Sequence, residues 1–166
     1  MNALLSFGYV LVGSELQALL DGIGFDPYLG FYHQIDYGRP SLALDLLEEL
    51  RAALVDRMSL TWLTRNVFQR DDFTRNPDGG IRLHRQSLKR FFPLYQEQLT
   101  TPQELDGETL TFRDLFRRQA ERLERALTEG GPIGPFACDP GLRLTSFPWS
   151  GVLLERNGSS GGLRVL

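Results

Sequence analysis

The chain has 166 residues, of which 42% are hydrophobic and 23% are charged, with one cysteine and a formal net charge of −3. Such a length and composition fit one globular domain with its own core. A lone cysteine excludes an internal disulfide, so we expect the protein to reside in a reducing cytoplasm. No uninterrupted apolar run reaches the roughly 18 residues that a membrane helix requires.

The first half of the chain predicts three helices. Apolar residues recur at helical spacing over residues 3–20, and Gly22 stops the run. A turn-rich segment follows, and Ser41 is placed to cap a second helix over residues 41–55. A further amphipathic run over residues 58–68 predicts the third helix.

The second half begins with a predicted β-hairpin over residues 73–84, folded around a glycine-rich turn. Ser87 is placed to cap the next helix, and a capping-box pattern starts another over residues 111–130. Residues 132–166 are rich in Gly, Pro and Ser and predict an irregular tail, disordered or foreign to the domain. The fold class predicted is mainly α: a helical domain over 1–131 with a short β-hairpin.

Three side chains in the first half suggest metal chemistry. Asp45 and Glu48 stand three positions apart on a predicted helix, so they can share one face, and His33 lies on the preceding loop. One imidazole and two carboxylates suit Mn²⁺, or Mg²⁺ with added waters, and acids so grouped raise their own pKa values. Acids on the polar side of an amphipathic helix are more often simply solvated, so spacing alone leaves both readings open.

Charge is distributed unevenly along the chain. Residues 1–55 carry seven acids and two bases, whereas residues 56–95 carry eight bases and four acids. An acidic segment beside a basic one is typical of a metal site next to a phosphate-binding surface. Arg65, Arg82 and Arg85 are the candidate phosphate contacts in the basic segment.

Three runs of sequence carry a family resemblance. They are NALLSFGY at 2–9, GFDPYLGFYH at 24–33 and GRPSLALDLLEE at 38–49. In order and spacing they are similar to the Cas1 family of CRISPR-adaptation integrases, whose pattern is N-A-L-L-S-x-G-Y, G-L-D-P-x-x-G-x-x-H and G-(K/R)-P-S-L-x-x-D-L-x-E. Looser likeness extends to about residue 136.

The resemblance implies the helical C-terminal domain of an enzyme that inserts short DNA fragments into a CRISPR array. The reaction is transesterification with Mg²⁺ or Mn²⁺, and relatives also cleave branched or linear DNA. His33 and Glu48 would be metal ligands, and Asp45 the acid that supports them. The implied partners are protospacer and repeat DNA, a second copy of the protein, and a small ferredoxin-like Cas protein; no membrane is implied.

Two family features are not found in this sequence. The N-terminal β-domain, through which the family dimerises, does not precede these motifs, and Gly-x-Glu-Gly, which supplies the third ligand, occurs nowhere. We therefore expect a truncated chain that can be inactive alone. The alternative hypotheses are a non-catalytic DNA-binding or assembly module and a remnant without a function of its own.

Overall fold

A computed structural model describes residues 1–34, 36–77, 79–105 and 107–129, and the backbone of two short strands near the C-terminus. It is mainly helical, which confirms the predicted fold class. The elements in this part of the chain are α1 (Asn2–Ile23), α2 (Ser41–Leu50), a π-helix (Arg51–Asp56), α3 (Arg57–Thr64), a 3-10 helix (Arg70–Asp72), β1 (Phe73–Arg75), β2 (Ile81–Leu83), α4 (Arg85–Thr100), β3 (Gln103–Leu105), β4 (Glu108–Leu110), α5 (Phe112–Glu129), β5 (Leu154–Arg156) and β6 (Leu163–Val165).

Helix α1 is a core helix. Its stripe at four-residue spacing is fully buried, and α1 packs chiefly on α2. By length and composition alone, Asn2–Ile23 also meets the requirement for a membrane span, with a mean hydropathy of 1.5 over its most apolar window. Polar residues interrupt the apolar ones along this helix, so its sequence contains no uninterrupted apolar run of that length. The buried stripe consists of Leu4, Val12, Leu16 and Leu20.

The predicted second helix is not uniform. The α-helical pattern ends at Leu50, and the next six residues, Arg51–Asp56, form wider π turns. The α-helical pattern then resumes in α3 at Arg57. Gly8 of α1 lies against this π-helix so closely that a Cβ there would stand 2.7 Å from Val55 Cγ1 and 2.9 Å from Met58 Cε. Glycine is thus the residue that lets the two helices approach at this crossing.

Aromatic rings fill the core between α1, α3 and α4. Phe91 lies at the centre of this cluster. Its ring centroid is 4.8 Å from that of Phe7, 5.2 Å from that of Trp62 and 6.0 Å from that of Tyr95. The first two contacts are edge-to-face, the arrangement that aromatic quadrupoles favour. This cluster fixes α4 against α1 and α3.

The predicted hairpin is confirmed: β1 and β2 pair antiparallel, with Thr74 opposite Arg82. A second antiparallel pair, β3 and β4, was not predicted, although the dipeptide Asp106-Gly107 between its strands is a typical hairpin-turn sequence. Most of residues 132–166 lie outside the described residues, so the prediction of an irregular tail stays a prediction. Within that range, β5 and β6 pair antiparallel.

Ser41 was predicted to cap α2, but Pro40 holds the N-cap position and the Ser41 hydroxyl donates to Gln34 O (3.1 Å).

Two further predicted helix starts have different outcomes. Thr111 and Asp114 form the expected capping box, since Thr111 N donates to Asp114 Oδ2 (2.9 Å) and Asp114 N donates to Thr111 Oγ1 (3.2 Å). Ser87 does not cap α4, which begins two residues earlier at Arg85. Its hydroxyl instead donates to Asp72 Oδ1 (2.7 Å) and ties α4 to the 3-10 helix.

Candidate active site

The loop before α2 folds back over the helix that follows it. Leu42 N donates to Pro27 O (2.9 Å), and Ser41 Oγ donates to Gln34 O (3.1 Å), so two points of the loop are tied to the first turn of α2. This covers Asp45, which is only 7% exposed. The pattern of α2 had placed Asp45 on the polar side of the helix, but tertiary packing encloses it.

The Asp45 carboxylate organises the loop around itself. Its Oδ2 accepts hydrogen bonds from the backbone N–H groups of Phe31 (2.5 Å) and Tyr32 (3.1 Å), and Oδ1 accepts one from His33 N (3.0 Å). The fourth contact joins Oδ1 to His33 Nδ1 at 2.5 Å. The site therefore consists of a buried acid that holds three consecutive backbone amides and one imidazole.

These contacts set the protonation of Asp45. Burial raises the pKa of its carboxyl, but the hydrogen bonds from the His33 ring and from the three backbone amides together outweigh burial, so the pKa lies below the usual value. The prediction that grouped acids raise their own pKa values is wrong for this residue. The acid stands among donors rather than among other carboxylates.

An ionised Asp45 fixes the tautomer of His33. A carboxylate can only accept, so Nδ1 carries the hydrogen and donates it. In the neutral form of the ring the lone pair lies on Nε2, and the side chain keeps 22% of its surface exposed. His33 thus has one ring nitrogen anchored to a carboxylate, as metal-binding and proton-accepting histidines have.

Gly30 lies against the same carboxylate. A Cβ at this position would stand 2.7 Å from Ser41 Cβ, 2.8 Å from Asp45 Oδ2 and 2.9 Å from the Ser41 carbonyl carbon. Two of these three neighbours belong to Ser41 at the start of α2, including one backbone atom, and cannot swing away. The loop can approach α2 closely enough to bring its amides to Asp45 only because residue 30 has no side chain.

Glu48 lies one turn further along α2 and is bound differently. Its side chain is 49% exposed, and both carboxylate oxygens lie close to Arg51 Nη1, at 2.7 and 3.0 Å. The structure thus brings His33 and Asp45 together and pairs Glu48 with an arginine. Among the described residues there is no group of three or more His, Cys, Asp or Glu side chains that could hold a metal ion. His33 and Glu48 provide suitable donor atoms but not a complete ligand set.

Sequence reasoning missed the surroundings of Glu48. The Arg51 guanidinium lies over the Tyr9 ring, with Cζ 4.5 Å from the ring centroid. The Tyr9 hydroxyl donates to Asp56 Oδ1 at the far end of the π-helix. Tyr9 ends the run NALLSFGY, so the family pattern could have drawn attention to it, but nothing local predicts π turns.

The three arginines proposed as phosphate contacts are all exposed. Arg65 follows the last residue of α3, Arg82 lies on β2, and Arg85 is the first residue of α4. Arg82 and Arg85 therefore flank one junction between the hairpin and α4, while Arg65 belongs to a different element.

The fold of the described residues matches those of several solved structures. A solved casposase bound to an integration product has the same fold, with a TM-score of 0.70 at 24% identity over 78% of this chain and 38% of that one. A partial Cas6-RT-Cas1–Cas2 complex also matches, with a TM-score of 0.63 at 27% identity over 78% of this chain and 39% of that one.

The sequence of the chain also matches a known protein family. Residues 1–97 match the family described as "CRISPR associated protein Cas1", and the chain belongs to it. It is 35% identical over 136 residues to a CRISPR-associated endonuclease Cas1 of Methanospirillum hungatei, a match that covers 82% of this chain and 40% of the relative. The chain thus spans well under half the length of these relatives.

Proposed function

We propose that this chain provides the histidine-bearing half of a metal-dependent phosphoryl-transfer centre that cuts and joins DNA during CRISPR adaptation. The observation that carries the proposal is the His33–Asp45 pair, in which a buried carboxylate orients the ring and leaves Nε2 for a ligand. Membership in the Cas1 family supports the same chemistry. The chain would act in the cytoplasm, where array DNA lies.

We assign the side chains as follows. His33 Nε2 and the Glu48 carboxylate would hold Mg²⁺ or Mn²⁺, with a further ligand from outside the described residues. When bound, the ion would polarise a phosphoryl oxygen and lower the pKa of the attacking water or 3′-hydroxyl. Asp45 would not bind the ion; it would keep Nδ1 protonated and the ring in place.

The proposed partners follow from the relatives. One structural match is bound to an integration product and another is assembled with Cas2, so DNA and a Cas2-like protein are the partners we propose here. We also propose that the active protein is a dimer, as implied by the family resemblance. These assignments concern the whole protein, of which this chain spans a part.

The test is strand transfer on a branched DNA substrate with Mn²⁺, using this chain fused behind a segment that carries the family's Gly-x-Glu-Gly motif. We expect His33→Ala to lower the rate at least about 100-fold, since it removes a ligand and not merely a contact. Glu121→Ala is the control, because Glu121 is exposed on α5, another part of the fold, and should leave the rate unchanged. Equal rates for His33→Ala and the parent would disprove the catalytic assignment.

The exposed arginines favour a second candidate function, a DNA-binding module without catalysis. Binding through phosphates releases counterions, so affinity should fall steeply between 50 and 200 mM salt and should not require a divalent ion. We expect Arg82→Ala and Arg85→Ala each to reduce the slope of log affinity against log salt by about one. Arg122→Ala on α5 serves as the control, and fluorescence anisotropy with labelled duplex DNA is the measurement. Affinity that does not change with salt would exclude this function.

A further inference from the structure

The surroundings of Glu48 define a small network that no sequence pattern assigns. Arg51 Nη1 contacts both carboxylate oxygens of Glu48, at 2.7 and 3.0 Å. The same guanidinium rests on the face of the Tyr9 ring. The Tyr9 hydroxyl is in turn held by Asp56 at the end of the π-helix. Arg51 is therefore fixed from two sides, by a carboxylate and by an anchored aromatic ring.

The π-helix makes this arrangement possible. Arg51 is its first residue and Asp56 its last, and α1 reaches it because Gly8 permits close approach beside Val55 and Met58. Tyr9, the next residue of α1, therefore lies beside the π-helix, where it contacts Arg51 and Asp56. Wide π turns occur often at functional sites, where they displace a side chain from its α-helical position.

The chemical consequence concerns cation binding. The two oxygens that Arg51 contacts are the atoms Glu48 would offer to a metal ion, and a guanidinium cannot lose its charge near neutral pH. A divalent ion at Glu48 must therefore displace Arg51 or bind beside a fixed positive charge. Since both side chains are about half exposed, water and salt screen the repulsion, and its effect on affinity is moderate.

We propose that Arg51 is a positioning residue that acts as a charge latch on Glu48. It holds the carboxylate in place while no metal ion is bound, and it lowers the affinity of Glu48 for divalent cations. When an ion takes the carboxylate, the Tyr9 ring retains the guanidinium close by through cation–π attraction. This inference rests on the proposed role of Glu48 as a metal ligand.

The experiment is a Mn²⁺ titration of the full chain, in which the electron paramagnetic resonance signal of free Mn²⁺ reports the unbound ion. We expect Arg51→Met to bind Mn²⁺ about three- to ten-fold more tightly than wild type. Arg51→Lys, which keeps the charge, should remain within about two-fold of wild type. Lys89→Met removes one charge from exposed α4 and should have no effect. Circular dichroism of each variant verifies that the helices are intact.

Glu48→Gln separates the latch from the proposed function. Introduced into Arg51→Met, it should abolish the gain in affinity, because the gained site is the released carboxylate. If Glu48→Gln has no effect in either background, both the metal assignment and the latch are wrong. If Glu48→Gln weakens binding but Arg51→Met equals wild type or binds more weakly, the metal assignment stands and the latch is overturned.

Discussion

Replacing Asp45 by alanine is expected to lower the free energy of unfolding by about 2 to 4 kcal/mol, because it removes a buried carboxylate that accepts four hydrogen bonds. The substitution leaves the amides of Phe31, Tyr32 and His33 without their acceptor, and it releases the His33 ring. Each buried donor that loses its partner costs about 1 to 3 kcal/mol, reduced here because the loop can move into water. Chemical denaturation of the two proteins measures the difference.

Asp36→Ala is the matched control for Asp45→Ala. Asp36 belongs to the same loop but is exposed, and its carboxylate accepts one backbone hydrogen bond, from Tyr37 N (2.8 Å). We expect a loss of only about 0.5 kcal/mol, as for other surface changes. A similar loss in both variants would show that Asp45 does not organise the loop.

The lowered pKa of Asp45 gives the same prediction a pH dependence. Because the folded-state pKa lies below the ordinary value of 3.8, the unfolded chain binds the proton more readily than the folded one. The stabilisation is therefore fully present well above pH 3.8 and is lost as the pH falls through the folded-state pKa. Asp45→Asn should lack this part of the acid-induced loss, which denaturation curves between pH 6 and pH 2 would reveal as a shallower decline.

Gly30→Ala is expected to cost about 2 to 4 kcal/mol and to disrupt the His33 site at the same time. The new methyl group would overlap Ser41 and the Asp45 carboxylate at 2.7 to 2.9 Å, and the overlap with backbone can be relieved only by moving the loop away from α2. Overpacking of a well-fitted contact usually costs about 1 to 3 kcal/mol, and the lost loop hydrogen bonds add to it. The His33 ring resonances in a proton–nitrogen NMR spectrum would report the displacement.

Gly22→Ala provides a control of the opposite sign. Gly22 lies in the last turn of α1, and a Cβ there would meet nothing within 4 Å. Alanine should stabilise this helix position by about 0.5 to 1 kcal/mol. If Gly30→Ala proved as harmless as Gly22→Ala, close approach of the loop to α2 would not be what builds the site.

Periodicity predicted most of the helices and the first hairpin, because long amphipathic runs and a glycine-rich turn leave clear patterns. It did not predict the π-helix, since Arg51–Asp56 reads as ordinary helix; in the structure these wide turns lie against Gly8 of α1. It also failed for Ser87, whose hydroxyl serves a long-range contact with Asp72 and not a cap. Tertiary structure decided both cases.

The candidate site was predictable in its members more than in its geometry. The family pattern indicated His33, Asp45 and Glu48, and the structure joins the first two directly. Helical spacing suggested that Asp45 and Glu48 play equivalent parts, yet one is buried among amides and the other pairs with Arg51 at the surface. This difference depends on a loop that folds over only one turn of α2, which spacing along a helix cannot reveal.

The wide turns between Leu50 and Arg57 also change the direction in which side chains point from α2 to α3. Each residue of an α-helix advances about 100° around the axis, and turns that close over five residues instead of four put the downstream half out of step with the upstream half. The upstream half can therefore aim Asp45 at the histidine loop, while the downstream half aims Trp62 at the ring of Phe91. Chemistry and core packing can thus be aligned separately along a single continuous helix.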